Sequence, residues 1–195
     1  MNQMGEWIFL VLFAGFGLLT FLSIMRTLRK LRAQLEPIAN SLGGELVTGL
    51  LSGFYIRFPG AYGETRVSLT PGSKNNPPKL SIFQLRQMDF QLRILAEDSL
   101  SGVAKKIHLV RELEIGDPLF DQKYLLLTKD REKVQSFLLS SLRREAVDYF
   151  FSNGFSEINV LKNMVSAVKK YYTDQDLDPG RIRQDVEQLN RFISG

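Results

Sequence analysis

"WIFLVLFAGFGLLTFLSIMRTLRKLRAQL", residues 7–35, begins as an unbroken apolar run and ends in a cluster of cations. No charged residue lies between Trp7 and Met25. A helix of about 19 residues is roughly 28 Å long, close to the ~30 Å thickness of a bilayer's hydrocarbon layer. Leu, Phe, Ile and Val dominate, with Phe13, Leu18 and Phe21 as bulky lipid-facing groups. Trp7 stands at one end, where an indole sits well among headgroups. A cleaved export signal needs a cationic start, a shorter apolar stretch and a small-residue cleavage site. Here the start, Met-Asn-Gln-Met-Gly-Glu, has no Lys or Arg, and Arg-Thr-Leu-Arg-Lys-Leu-Arg follows the run. A buried core helix would be shorter or carry a polar face. Residues 1–25 are therefore expected to be an uncleaved transmembrane anchor.

Orientation follows from the flanks. No Lys or Arg precedes the run, whereas Arg26, Arg29, Lys30 and Arg32 follow it within two turns. Cationic flanks stay on the cytoplasmic side. The expectation is a single-pass protein of the cell inner membrane, N-terminus out and C-terminal domain cytoplasmic. The absence of Cys suits a reducing compartment and equally suits a disulfide-free exported domain.

The pI near 9.3 invites a nucleic-acid reading. Residues 1–35 hold four of the 25 Lys and Arg and one of the 21 Asp and Glu, which leaves 21 cations against 20 anions for the rest. The basic excess belongs to the anchor flank, where topology and anionic headgroups account for it. With no basic stripe interleaved with aromatics, nucleic acid is not an expected partner.

Beyond the anchor, Ile24, Leu28, Leu31, Leu35, Ile38 and Leu42 recur at helical spacing as a seam leaving the membrane. Two uses are open to it: packing on its own domain, or self-association through Leu28, Leu31 and Leu35 as a homodimer. Pro37 is expected to end this helix near Glu36, because an interior proline clashes with the carbonyl four residues back. A second short helix would then run from Pro37 to Gly43-Gly44, so that residues 26–43 form a basic juxtamembrane helical region.

From Glu45 the period changes to two. Phe54, Ile56 and Phe58 alternate with Tyr55 and Arg57 until Pro59-Gly60, and Val67 and Leu69 share a face. "TPGSKNNPPK" (70–79) is a loop of turn formers, Leu80 to Leu85 resumes as strand, and Phe90, Leu92 and Ile94 alternate again. A fifth strand is expected through Ile107, Leu109, Leu113 and Ile115. "KYLLLTK" (123–129) is continuously apolar and reads as a central strand covered on both faces. Asp130 opens a helix to about Phe151, Asn153-Gly154 turns the chain, and Phe155 to Val160 with Met164 to Tyr171 read as a strand pair. Asp178-Pro179 caps a last helix carrying Ile182, Val186, Leu189, Phe192 and Ile193. The expected class is α+β: a single N-terminal transmembrane helix, a juxtamembrane helix, and residues 44–195 as a cytoplasmic domain of antiparallel sheet with two or more covering helices.

Chemistry has little material. There is one His and no Cys. His108 shares its expected strand face with Lys106, Glu112 and Glu114, a solvated position. No Gly-rich phosphate loop, Ser elbow or zinc-type His pair is present, so no catalytic residue, cofactor or metal site is assigned. "DQDLDPGRIRQD" (174–185) places Asp174, Asp176, Asp178 and Asp185 at calcium-loop positions. However, Pro179 stands where that loop needs glycine, and a helix cap explains the same acids.

"LEIGDPLFDQKYLLLTKD" (113–130) is the most distinctive stretch. With Ala39, Leu42, Gly43 and Gly44 it forms an A-x-x-L-G-G segment followed by a G-D-P-x-F-D turn at Gly116, Asp117, Pro118, Phe120 and Asp121. Over roughly residues 35–145 the chain resembles uncharacterised bacterial membrane-anchored proteins sharing this order of anchor, β-rich region, turn, strand and helix. The resemblance implies a prokaryotic inner-membrane protein and supplies no activity. The functional expectation is a membrane-tethered interaction or adaptor domain, an accessory subunit of a membrane assembly, with the lipid bilayer and a protein as partners. The alternative is a carboxylate-based enzyme or small-ligand sensor with a sheet–helix cleft.

Overall fold

The computed structural model describes residues 3–49, 53–96 and 113–195, and for residues 3–11, 14, 49 and 53 the backbone alone. The first element is one continuous helix, α1, Gln3–Leu42, with Pro37 inside it. The expected break at Glu36 does not occur. Pro37 lies on the exposed side, while Leu35, Ile38 and Ala39 beside it are buried on the domain. Packing on both sides of the proline outweighs the one lost hydrogen bond. The helix ends where the two glycines require it. Gly43 takes a left-handed φ of 69°, and the N–H groups of Gly43 and Gly44 donate to Asn40 O (3.2 Å) and Ala39 O (2.9 Å). This is the paired bonding of a Schellman cap.

Four strands follow as a meander: β1 (Glu45–Gly49), β2 (Gly53–Gly60), β3 (Gly63–Thr70) and β4 (Lys79–Leu85). β2 runs through Pro59-Gly60 instead of stopping there, and the hairpin turns at Ala61-Tyr62. Then come β5 (Leu92–Ala96), a one-turn helix α2 (Pro118–Asp121), β6 (Tyr124–Thr128), α3 (Arg131–Leu138), α4 (Ser141–Ser152), β7 (Phe155–Leu161), β8 (Met164–Lys170) and α5 (Pro179–Ser194). The described strands form one eight-stranded sheet in the order β1-β2-β3-β4-β8-β7-β5-β6, every pair antiparallel. The α+β class with an antiparallel sheet and covering helices is what the molecule has.

Register explains the core. Directly paired residues of antiparallel strands share a face. One such row crosses the whole sheet: Leu46, Ile56, Val67, Ile82, Ala167, Ile158, Ile94 and Leu126. All but Leu46 are fully buried. Leu31, Leu35 and Ile38 of α1, Ala146, Val147 and Phe150 of α4, and the whole expected stripe of α5 join that row in a single core.

Of three further elements, one has the expected burial at the end of the described sheet, one lies largely outside the described residues, and one differs from expectation. β6 is buried at every residue but is the last strand of the described sheet; Leu125 and Leu127 form a separate small cluster with Leu95 on the other face. The expected fifth strand lies largely outside the described residues, as do His108, Ile107 and Leu109. Leu113 N–H donates to Leu126 O at 3.0 Å, without a strand at 113–115. The helix expected from Asp130 to Phe151 is two, broken at Leu139-Ser140. Arg143 Nη1 donates to Phe137 O (2.8 Å), and Arg144 Nη1 to Leu138 O and Leu139 O (2.9 Å each), satisfying the carbonyls that end α3.

Candidate functional site

Leu12, Phe13, Phe16, Leu18, Leu19, Phe21, Leu22 and Ile24 of α1 are all exposed, Phe16 by 73%. At about 100° per residue these positions fall on every side of the helix, so the described side chains of residues 12–24 show no single buried face. Two turns on, the same helix becomes one-sided: Leu31, Leu35, Ile38 and Ala39 are buried, and Leu28 and Leu42 pack partly against the core. Arg26, Arg29, Lys30 and Arg32 are exposed between the two regimes, with Arg32 3.8 Å from Glu36. Among the described residues no helix is long and apolar enough to cross a membrane. The side chains of Trp7 and of the rest of the run up to Val11 are not described.

Of the three residues assigned to self-association, Leu31 and Leu35 are thus committed to the chain's own core, against β1, β2 and α5. A second copy meeting this stripe would have to displace the sheet.

The glycine–aspartate turn is structural. Asp117 caps α2 by accepting from Leu119 N and Phe120 N (3.2 and 3.3 Å), and ion-pairs with Arg144 at 3.4 Å. Asp121 accepts from Ile115 N and Gly116 N, both at 3.0 Å, so its carboxylate closes the loop backwards. Phe120 is buried with its ring 4.8 Å from that of Tyr124. The Tyr124 hydroxyl donates to Asp148 at 2.6 Å; burial and then Asp148 raise its pKa.

The calcium-loop acids do not converge. Asp176 pairs with Lys169 and accepts from Thr173 N at 2.8 Å, and Asp178 accepts from Arg181 N at 3.1 Å as the cap of α5. Asp185 is buried on α5, accepting from the Tyr149 hydroxyl at 2.8 Å with Arg181 Nε at 3.7 Å. Among the described residues no three His, Cys, Asp or Glu side chains are grouped to hold a metal ion. Asp185 is their one fully buried carboxylate, and it lines none of the grooves described next.

Two grooves flank the segment 86–91 that follows β4. One, of about 780 Å³, lies at the ends of β5, β6 and β7. The other, of about 530 Å³, lies between the segment and the start of α4. Their linings carry Arg86, Arg93, Lys129, Arg143 and Lys162 against Asp89 and Asp130. Asp89 is tied to Lys133 at 3.0 Å, and Asp130 accepts from Gln91 N at 3.2 Å. Asp130 thus reaches across to the segment and makes no side-chain cap bond on α3. Sequence reading missed this cationic place because its members are single residues of five separate segments, with no spacing to mark them.

No protein-family model matches the chain, and no curated protein matches it. Among solved structures, the crystal structure of the mycobacterial trehalose monomycolate transport factor A, TtfA, is similar. The TM-score is 0.57 and the identity 9%, over 85% of this chain and 96% of that one. At that identity the likeness is one of fold.

Proposed function

We propose that this protein is a membrane-tethered interaction domain, an accessory subunit of a membrane assembly, held by a single N-terminal helix with its folded domain on the cytoplasmic side. The observation that carries this reading is the change of regime along α1. Over residues 12–24 its described apolar side chains are exposed on all sides; over its last third one face is buried in the domain. A helix that is apolar all round belongs in a core or in lipid, and the domain offers this segment no core. The exposed cations at 26–32 stand at the boundary, where the cytoplasmic headgroups would lie. Helix α1 runs from one regime to the other unbroken, so the anchor and the sheet form one lever.

The test is a reporter fused after Gly195, read separately for cytoplasmic and exported activity, together with alkaline extraction of membranes. The expected result is cytoplasmic activity from a chain that stays in the membrane pellet. Exchange of Arg26, Arg29, Lys30 and Arg32 for Gln, with Lys added near Asn2, is expected to invert a measurable fraction. Exported activity from the unaltered chain, or complete release by alkali, overturns the reading.

A further inference from the structure

Arg86 and Arg143 reach the groove of about 530 Å³ from two different elements, the segment after β4 and the first turn of α4. Each guanidinium lies over an aromatic ring. Arg86 lies 4.7 Å from the centre of the Tyr62 ring, and Arg143 lies 4.0 Å from that of Phe137. The Arg86 backbone is pinned by its own N–H to Asn163 O at 3.2 Å. Arg143 spends Nη1 on Phe137 O, while its buried Nε has no acceptor. Among the described residues neither guanidinium has a carboxylate within 4 Å, unlike Arg57, Arg66, Arg93, Arg144 and Arg181. The one acid on the described lining, Asp89, is taken by Lys133. The rest of the wall is largely apolar, with Met88, Phe90 and Ile193.

Two fixed like charges facing one groove without a counter-ion are unfavourable in the empty site, and an anion between them removes that cost. The strain is legible in Arg143, whose pKa is held below its usual value first by burial and then by the Arg86 charge. The shape of the donor set selects among anions. A carboxylate brings two oxygens and one negative charge to two guanidinium charges, so one of those charges stays unbalanced. A tetrahedral phosphate presents further acceptor oxygens and a second charge, and accepts from both forks at once. Stacking on the rings keeps each fork in place, so little side-chain freedom is lost on binding.

We propose that the groove between Arg86 and Arg143 is a binding site for a phosphate group. Two sources offer that chemistry: a soluble phosphate compound or the headgroup of an anionic phospholipid.

The experiment is calorimetric titration of the full chain, in a neutral detergent, with inorganic phosphate and separately with lysophosphatidic acid. Saturable binding of inorganic phosphate in the millimolar range or tighter is expected. Arg86→Gln and Arg143→Gln should each weaken it by about tenfold or more, as expected for loss of a charge-assisted pair. Arg66→Gln, on the other face of the sheet, should leave it unchanged. Tighter binding of the lipid than of inorganic phosphate, lost in the same two variants, assigns the headgroup as the source; equal binding assigns a soluble compound. Should Arg143→Gln not fold by circular dichroism, Arg86→Gln decides alone, because Arg86 makes no side-chain hydrogen bond within the described chain. Absence of saturable phosphate binding, or binding that survives Arg86→Gln, overturns the proposal.

Discussion

Gly43 and Gly44 stand side by side for different reasons, and substitution separates them. Gly43 needs the left-handed φ and has open space around it, whereas a Cβ on Gly44 would stand 2.6 Å from Arg57 O and 2.9 Å from Phe58 Cβ. Gly43→Asn, a residue that tolerates that φ, should cost less than Gly43→Ala, which should lose about 1–2 kcal/mol. Gly44→Asn should be at least as damaging as Gly44→Ala, because the neighbour is backbone that cannot turn aside. Denaturant midpoints of the four variants check this ordering. The buried Asp185 and the half-buried Asp176 have opposite pH signs. Burial raises the Asp185 pKa, with Tyr149 and Arg181 opposing it only in part. Its folded form therefore holds a proton at pH values where the unfolded chain has lost it. Stability from this residue falls as pH rises through the folded pKa and is recovered as pH drops towards the ordinary carboxylate range. Burial also works against Asp176, but Lys169 and Thr173 outweigh it and lower its pKa. Its contribution is present at neutral pH and is lost only below the ordinary range. Between neutrality and the ordinary carboxylate pKa, the unaltered chain should gain melting temperature relative to Asp185→Asn and show no such gain relative to Asp176→Asn. Parallel pH profiles in all three proteins would contradict the assignment.

At the scale of elements, local rules worked where one local signal decided and failed where packing did. Asp178 before Pro179 marks the start of α5 by itself, and the strands of residues 63–85 show their alternation in the side chains. The break at Leu139-Ser140 left no such mark, since Val134, Phe137, Leu138, Ser141, Leu142 and Ala146 keep helical spacing across it. What makes the break tolerable is Arg143 and Arg144 folding back on the end of α3. Pro37 misled in the opposite direction: the proline rule is sound for an isolated helix, yet here buried neighbours hold the helix through it. Pro37→Ala restores an N–H facing Ala33 O and removes a ring clash. It should stabilise the chain, by up to about 3 kcal/mol, seen as a higher melting temperature. No gain would mean that the proline sets a bend on which the seam of α1 depends. The same seam bears on assembly. A cysteine replacing Leu31 lies in the core, whereas one replacing Arg29 lies in the open. Cross-linking in native membranes should be weaker at 31 than at 29. The reverse would show the stripe turned towards a second copy.

For the molecule as a whole, sequence reading identified the anchor-like run, the antiparallel sheet and the last helix, but not how they close on one another. A continuously apolar strand reads as covered on both faces, which by itself does not say which strands flank it. β6 has the burial and ends the described sheet, its far face packed through Leu95, Leu125 and Leu127. Nor could charge counts along the chain show Arg86 and Arg143 sharing a groove, since only the fold brings residues 86 and 143 together. The same ambiguity governs where the domain begins. The proline at 37 suggested a helix break near Glu36, with the domain proper expected only from residue 44. Leu31 and Leu35 are instead core residues, in contact with the sheet. Each side chain of this size contributes about 1.5–3 kcal/mol when buried, against a total stability of about 5–15 kcal/mol for an ordinary domain. Residues 26–195, produced without the apolar run, should therefore fold cooperatively and melt as one unit with mixed helix and strand. Residues 36–195 should melt many degrees lower or aggregate, because the row through Ile56 and Val67 loses its cover from α1. Thermal melts of the two fragments, followed by circular dichroism, decide between the boundaries. Equal melting temperatures would place Leu31 and Leu35 outside the core and return the helix to the role of a tether.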